Sequence, residues 1–110
     1  MASKADVFLF IYGTLAEKEI QMSLFKRQVL KEAATLVNYR RDHIRLPDIP
    51  AGTVYPILKF TGNPKDLIEG FVLKITGKEL DVADEYEGDS YLRKKVTLES
   101  GTLAWCYVAH

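Results

Sequence analysis

The pattern of apolar and polar positions along the 110-residue chain is mostly that of short strands. Residues 7–12 form a continuous apolar run rich in β-branched and aromatic side chains, which predicts a strand buried on both faces. Further strand-like patterns occupy residues 33–39, 53–60, 67–75, 91–98 and 102–108. The last two flank Ser100-Gly101, a strong signal for a hairpin.

Two segments instead place apolar residues at helical spacing. Residues 14–17 have the Thr-x-x-Glu form of a capping box, so a helix is predicted to begin at Thr14, or after a short loop near Glu19, and to extend to Leu30. A second helix is predicted to open at Thr76 and to stop at Gly88. These helices interrupt the series of strands.

Polar and glycine positions complete the predicted architecture. Residues 40–52 are polar and contain prolines, which predicts a long surface loop. Gly70 lies inside a strand and indicates a bulge or a close approach of backbones. The order β, α, β, loop, β, β, α, β, β lacks the regular alternation of a doubly wound sheet. It predicts an α+β fold, with a curved, mostly antiparallel sheet or small β-barrel and flanking helices.

Length, charge and cysteine content narrow the protein class. The chain has enough residues for one domain, predicted over residues 1–110. Fifteen basic residues balance fifteen acidic ones, so no nucleic-acid or membrane partner is expected. No signal peptide or membrane-spanning run is visible, and the one cysteine, Cys106, indicates a buried thiol. We expect a soluble, cytoplasmic protein, and His43 and His110 have no metal-site spacing.

The first candidate for chemistry is the sharp end of the 7–12 run, at Tyr12-Gly13-Thr14-Leu15. A strand that stops at glycine and enters a capped turn presents several backbone N–H groups to one place, as anion and oxyanion sites do. The alternative is that Gly13 and Thr14 only form a turn and a helix cap. The chain has no GxxxxGK[ST] motif, which excludes the usual ATP or GTP phosphate loop.

The second candidate is Glu87, in the acidic segment of residues 81–88. The other carboxylates of this segment are expected to be solvated helix-surface charges. Glu87 stands at the predicted helix end and is followed by Gly88. If it is partly desolvated, its pKa is raised, which suits a general acid or base near neutral pH. Tyr91 and Arg93 follow on one face of a strand, where they would orient a substrate or form a surface pair.

Five separated blocks together resemble one known family. They are FIYGTL near the start, VYPIL at 54–58, IEGFVLKI at 68–75, DEYEGDSYLRKKV at 84–96 and AWCYV at 104–108. In order and spacing they resemble the γ-glutamylcyclotransferase-like superfamily, especially its short members grouped with γ-glutamylamine cyclotransferase and the plant avirulence-induced proteins. The resemblance implies a small mixed β-barrel with flanking helices and one cavity. It also implies a catalytic acid/base at Glu87 and substrate contacts from Tyr12, Gly13, Thr14, Leu15 and, as a cavity wall, Tyr91.

The reaction implied by the resemblance converts a γ-glutamyl amide to 5-oxoproline and a free amine, without metal or organic cofactor. The leaving group stays open among amino acids, simple amines, γ-glutamyl-lysine crosslink fragments and acylated antibiotic precursors. A rival hypothesis is a non-catalytic module of the same fold that binds a small ligand. A third is an interaction protein that uses the long loop. The expected partner is a small γ-glutamyl molecule, and the expected state is a monomer or weak homodimer.

Overall fold

The computed structural model describes residues 6–44, 55–88 and 91–109. These residues form seven strands and two helices in an α+β fold, in the predicted order except for one additional strand, Tyr39–Ile44. The strands are β1 (Val7–Ile11), β2 (Lys31–Val37), β3 (Tyr39–Ile44), β4 (Tyr55–Phe60), β5 (Leu67–Ile75), β6 (Leu92–Thr97) and β7 (Leu103–Val108). The helices are α1 (Lys18–Phe25) and α2 (Gly77–Glu87), and a single 3₁₀ turn (Thr14–Ala16) precedes α1.

Five of the strands form one mixed sheet in the order β2-β5-β1-β7-β6, and β3 pairs with β4 separately. All neighbours are antiparallel except β1 and β7, which run parallel with Leu9 opposite Trp105. The outer strands approach each other at one isolated bridge, Leu36 opposite Leu98, beside which the Glu99 amide donates to the Thr35 carbonyl (2.9 Å). The predicted α+β class is confirmed, but the described strands form a curled open sheet and not a closed barrel.

The central strand β1 separates two apolar cores, as its continuous apolar run predicts. Leu9 and Ile11 pack with residues of both helices, while Phe10 packs on the other face with residues of β3 and β4. These three side chains are at most 3% exposed. The Ala109 amide donates to the Leu58 carbonyl (2.8 Å) and joins β4 to the end of β7. The C-terminal end of β1 is therefore packed on both of its faces.

The first helix begins near Glu19, the second of its two predicted starts. Residues 14–16 form only the 3₁₀ turn, Gly13 occupies its N-cap position without a side-chain hydrogen bond, and α1 begins at Lys18. A capping box is present instead at α2, where the Glu79 amide donates to Thr76 Oγ1 (3.1 Å) and the Thr76 amide donates to Glu79 Oε1 (2.9 Å). The predicted start at Thr14 is therefore wrong, and the predicted start after a short loop near Glu19 is confirmed.

The C-terminal end of the first helix lies earlier in the chain than the sequence predicts. Helix α1 stops at Phe25 and does not reach Leu30, because Lys26 adopts a left-handed conformation with φ of 60°. The lysine amide donates to the Met22 carbonyl (3.1 Å), which is the hydrogen bond of a helix C-cap. The chain then reaches β2 two residues before the predicted strand start.

The predicted loop over residues 40–52 is wrong for its first part, since β3 extends to residue 44. Asp42 forms ion pairs with Arg40 (3.9 Å) and with Lys59 of the neighbouring strand (3.1 Å). A strand that carries charges on an exposed face has the composition of a loop, which explains the error. Residues 45–52 of the predicted loop, and 53–54 of the predicted strand, lie outside the described residues.

Gly70 marks a close approach of two strands, as its position inside a strand pattern predicts. A Cβ atom on this residue would collide with the Ile11 carbonyl oxygen and would lie 2.8 Å from the Phe10 ring. The pairing of β2 with β5 continues through this position without a bulge. A side chain is therefore excluded here by the backbone of β1, next to the strand end at Tyr12.

Candidate active site

A cavity of about 380 Å³ lies where the end of β1, the 3₁₀ turn, the end of α2 and the end of β7 meet. All six residues predicted as site residues line it: Tyr12, Gly13, Thr14, Leu15, Glu87 and Tyr91. The remaining lining residues are Phe10, Ile11, Pro56, Tyr86 and Tyr107. Tyr12 and Glu87 are far apart in the sequence, yet the two motifs to which they belong line the same cavity.

The loop after β1 is held from behind by a buried glutamine. Gln21 of α1 is 1% exposed, its Nε2 donates to the Leu15 carbonyl (2.9 Å), and its Oε1 accepts from the Val29 amide (2.9 Å). The turn itself is closed by hydrogen bonds from the Ala16 amide to the Gly13 carbonyl (3.1 Å) and from the residue 17 amide to the residue 14 carbonyl (2.9 Å). The loop is therefore fixed before any ligand arrives.

The amides of the loop remain available. Within the described ranges, no acceptor is found for the backbone N–H groups of Gly13, Thr14 and Leu15. These residues line the cavity, and adjacent unsatisfied amides are the groups from which proteins build oxyanion and anion sites. Gly13 also leaves open space, since a Cβ placed there would meet no atom within 4 Å.

Two tyrosines connect the loop to the sheet. The Tyr12 hydroxyl donates to the Tyr107 carbonyl (2.7 Å), and Arg41 Nη2 donates to the Tyr12 carbonyl (3.3 Å). The Arg41 guanidinium also lies 5.9 Å from the centre of the Tyr12 ring. Burial raises the pKa of both phenols, so they stay neutral and act as hydrogen-bond donors at physiological pH.

Glu87 is the last residue of α2 and contributes the carboxylate of the cavity. Gly88 follows it at φ of 74°, a conformation that favours glycine and ends the helix. No hydrogen bond or ion pair joins the Glu87 carboxylate to another residue in the described part of the chain. Burial raises its pKa from an ordinary 4.5 to about 7. A carboxyl with that pKa exchanges a proton readily at neutral pH, as an acid/base group must.

Contacts across the cavity join the helix to the loop. The Tyr86 hydroxyl and Thr14 Oγ1 lie 2.6 Å apart, and the Tyr91 hydroxyl donates to the Pro56 carbonyl (2.9 Å). Tyr86 and Pro56 were not predicted as site residues. Tyr86 follows two acidic residues near the end of α2, and Pro56 lies in β4. Neither pattern indicates a cavity, because both contacts are between distant segments.

Tyr107 and Arg93 lie opposite each other on neighbouring strands, and of these two only Tyr107 lines the cavity. Tyr107 belongs to the same buried cluster as Leu9 and Ile11, and it also lines the cavity. Arg93 does not line it. Its Nη1 lies 3.3 Å from Asp84 Oδ2 and its guanidinium carbon 4.6 Å from the centre of the Trp105 ring. The charge partner of Arg93 is therefore Asp84, a contact that the sequence did not predict.

Other reactive groups contribute nothing to the cavity. Cys106 is fully buried, as predicted, and burial raises the pKa of its thiol, which disfavours a thiolate nucleophile. Among the residues that the structure describes, no three His, Cys, Asp or Glu side chains form a group able to hold a metal ion. No helix in the same part of the chain is long and apolar enough to cross a membrane.

Comparison with known proteins places the cavity in a family context. Residues 9–110 match the family model described as Gamma-glutamyl cyclotransferase, AIG2-like. AIG2-like protein C of Arabidopsis thaliana is 36% identical over 97 residues, which are 87% of this chain and 52% of that protein. The chain therefore spans about half the length of this curated relative.

Solved structures share the fold. The solution structure of an Arabidopsis thaliana protein has a TM-score of 0.72 and 21% identity, and covers 99% of this chain and 66% of its own. The crystal structure of an uncharacterized human protein has a TM-score of 0.75 and 20% identity, with 94% and 66% covered. A structure named gamma-glutamyl cyclotransferase has a TM-score of 0.72 and 19% identity, again with 94% and 66% covered.

Proposed function

This chain belongs to the gamma-glutamyl cyclotransferase, AIG2-like family, and we propose that it converts γ-glutamyl amides to 5-oxoproline and a free amine. One observation carries the proposal: Glu87, whose pKa is raised to about 7, shares a cavity with the amides of residues 13–15, which have no acceptor among the described residues. The cavity volume of about 380 Å³ lies within the range of small-molecule pockets, about 300–1,000 Å³. A γ-glutamyl dipeptide is a molecule of suitable size.

The chemistry needs one proton carrier. The α-ammonium of the substrate loses a proton to the Glu87 carboxylate, and the resulting amine attacks the γ-carbonyl carbon to form a five-membered ring. The carbonyl becomes an oxyanion. The ring nitrogen then loses its second surplus proton to solvent. Protonated Glu87 returns the first proton to the leaving nitrogen, the amide C–N bond breaks as the carbonyl re-forms, and the released amine takes up a proton from solvent. The products are 5-oxoproline and the amine, and the enzyme ends in its starting state.

The loop amides supply the other half of the mechanism. Preorganised N–H donors aimed at a developing oxyanion contribute about 3 kcal/mol each to transition-state stabilisation. The loop is held by Gln21 and by its own turn hydrogen bonds, so little reorganisation is needed when charge develops. Confinement in the cavity also keeps the substrate folded with its amine close to its own carbonyl.

The direct test is incubation of the purified protein at pH 7.5 with γ-glutamyl amino acids, a γ-glutamyl alkylamide and γ-glutamyl-ε-lysine, each followed by mass spectrometry. We expect 5-oxoproline and the free amine to appear in equal amounts with at least one substrate. The matched α-glutamyl isomers should give neither product, because their α-amino group cannot close the five-membered ring onto the scissile amide. Binding of a γ-glutamyl compound without any product would instead favour the non-catalytic module.

Arg41 is the expected contact for a substrate carboxylate. Among the lining residues that the structure describes, none is a lysine or arginine, whereas the exposed Arg41 guanidinium is oriented by the Tyr12 carbonyl and ring. We expect Arg41→Gln to raise KM by about tenfold, in keeping with roughly 1–3 kcal/mol for a hydrogen bond to a charged group, with a smaller change in kcat. Arg40→Gln on the same strand is the control, since Arg40 pairs with Asp42. Equal KM values for the two variants would contradict this assignment.

A further inference from the structure

No polar contact among the described residues fixes the direction of the Glu87 side chain in the cavity. Its carboxylate has no hydrogen-bond or ion-pair partner in the described ranges, so its position depends on the last turn of α2 and on packing in the cavity. That turn is closed by a hydrogen bond from the Gly88 amide to the Asp84 carbonyl (2.9 Å). Helix ends fray unless something anchors them. The anchor of this turn is therefore an anchor of Glu87.

The side chain of Asp84 ties this turn to the sheet at two points. Its Oδ1 accepts a hydrogen bond from the Tyr107 hydroxyl (2.8 Å), and its Oδ2 lies 3.3 Å from Nη1 of Arg93. Arg93 and Tyr107 stand directly opposite each other on β6 and β7. One carboxylate thus bridges a cross-strand pair, which fixes both the position and the rotation of the helix end.

The buried positive charge of Arg93 is compensated by Asp84. Its Nη1 is buried and makes no hydrogen bond to the described residues, while its guanidinium lies over Trp105. Asp84 is therefore the anion that compensates this nitrogen. If one partner of such a pair is removed, the other charge is left poorly solvated. The side chain that carries this charge is then expected to move toward water.

The same carboxylate also reaches the binding loop. Tyr107 lines the cavity, and its backbone carbonyl accepts the Tyr12 hydroxyl (2.7 Å). A continuous set of contacts therefore runs from Asp84 through Tyr107 to the first residue of the loop. Tyr107 therefore contacts Asp84 through its hydroxyl and Tyr12 through its backbone carbonyl.

We propose that Asp84 is a positioning residue, which holds the last turn of α2 against Arg93 and Tyr107 so that the Glu87 carboxylate stays inside the cavity. The effect on catalysis rests on the proposed function, whereas the effect on the position of Glu87 does not. Titratable and charged groups face Glu87 or its immediate neighbours from the loop after β1, from β3, β6 and β7, from the segment before β6 and from its own helix. They are Tyr12, Arg41, Arg93, Cys106, Tyr107, Tyr91, Asp84 and Tyr86.

The test compares Asp84→Asn, Tyr107→Phe and the control Asp81→Asn. Asp81 is exposed on the same helix and makes no described hydrogen bond or ion pair. The midpoint of Glu87 is measured by ¹³C NMR titration of its carboxyl carbon, without substrate. We expect about 7 in the wild type and in Asp81→Asn, and a fall toward the ordinary 4.5 in the other two variants, as the carboxylate becomes hydrated.

Each outcome decides the proposal. Loss of the Asp84 charge alone would also lower the Glu87 midpoint, but Tyr107→Phe changes no charge, so a fall in both variants supports positioning. A fall in Asp84→Asn alone, or in neither variant, overturns it. If Asp84→Asn does not fold, Tyr107→Phe carries the test. If the midpoints fall as expected but the wild type releases no 5-oxoproline, the positioning stands and the proposed function fails.

With an active wild type, kinetics add a second readout. We expect kcat of Asp84→Asn to fall by about tenfold or more, because a small misplacement of a catalytic group costs up to about 10²-fold. KM should change less, since the loop amides are held separately by Gln21. The rise of activity with pH should also begin at a lower pH than in Asp81→Asn.

Discussion

We expect Glu87→Gln to abolish 5-oxoproline release from γ-glutamyl amides while the fold is retained. Glutamine keeps the shape of the side chain but accepts no proton in the relevant pH range, so both proton-transfer steps lose their carrier. General acid/base groups contribute about 10²–10⁴-fold, and kcat should fall by that amount. The measurement is 5-oxoproline release by mass spectrometry under saturating substrate.

The same substitution should make the protein more stable at alkaline pH. The Glu87 pKa is about 7 in the folded chain and about 4.5 when unfolded, so the folded state holds its proton more tightly. This contribution to stability is complete below pH 4.5 and is lost as the pH rises through 7. Above that pH the ionised carboxylate costs at most about 3 kcal/mol, less the part that water relieves at its exposed edge.

Thermal unfolding at two pH values tests this sign. At pH 8 the variant should melt several degrees above the wild type, and at pH 5 the difference should shrink. Glu85→Gln is the matched control, since Glu85 is exposed on the same helix. It should leave both the activity and the pH dependence of melting unchanged. A Glu87→Gln protein that still forms 5-oxoproline at the wild-type rate would refute the acid/base role.

We expect Gly70→Ala to be strongly destabilising, although alanine adds a single methyl group. That methyl would collide with the Ile11 carbonyl oxygen and would sit 2.8 Å from the Phe10 ring. Neither neighbour can yield easily, because the first is backbone of the central strand and the second is fully buried. Overpacking of this kind costs about 1–3 kcal/mol and occasionally more, which urea unfolding measures directly.

Gly77→Ala is the control for this substitution. Gly77 is the first residue of α2, and a Cβ there would meet no atom within 4 Å. We expect its free energy of unfolding to be unchanged or slightly higher, since alanine reduces the entropy of the unfolded chain. Equal stability of the two variants would mean that β1 and β5 are not as closely apposed as the structure shows.

The sequence predicts those features whose causes are local. The apolar run of β1 predicts burial on both faces, and Gly70 inside a strand pattern predicts a close approach. Gly88 correctly marks the end of α2. In each case the residue type itself determines the backbone or the burial, so that no distant contact is needed for the inference.

The errors arise where two local solutions compete. Thr-x-x-Glu occurs at 14–17 and at 76–79, but only the second forms a capping box, because Gly13 and the buried Leu15 hold the first in a 3₁₀ turn. The left-handed Lys26 that ends α1 leaves no signal in a lysine. The charged strand β3 resembles a loop until its partner Lys59 is known.

Within the candidate site, the two motifs are visible in the sequence but their connections are not. Resemblance and local pattern together indicate the loop after β1 and Glu87. The residues that complete the cavity and position its groups are Asp84, Tyr86 and Tyr107, and each acts through a partner far away in the chain. An aspartate that bridges two strands has the same sequence pattern as one that faces water.

The incomplete closure of the sheet exposes the protein to a hazard of association. Apart from the bridge at Leu36, the outer edges of β2 and β6 are not paired with each other, and open strand edges invite pairing with another chain. Lysines are among the residues with which proteins protect such edges. Lys31 begins β2, and Lys94 and Lys95 lie in β6, so aggregation through these edges would bring like charges together. Repulsion between these lysines therefore disfavours association through the open edges of the sheet.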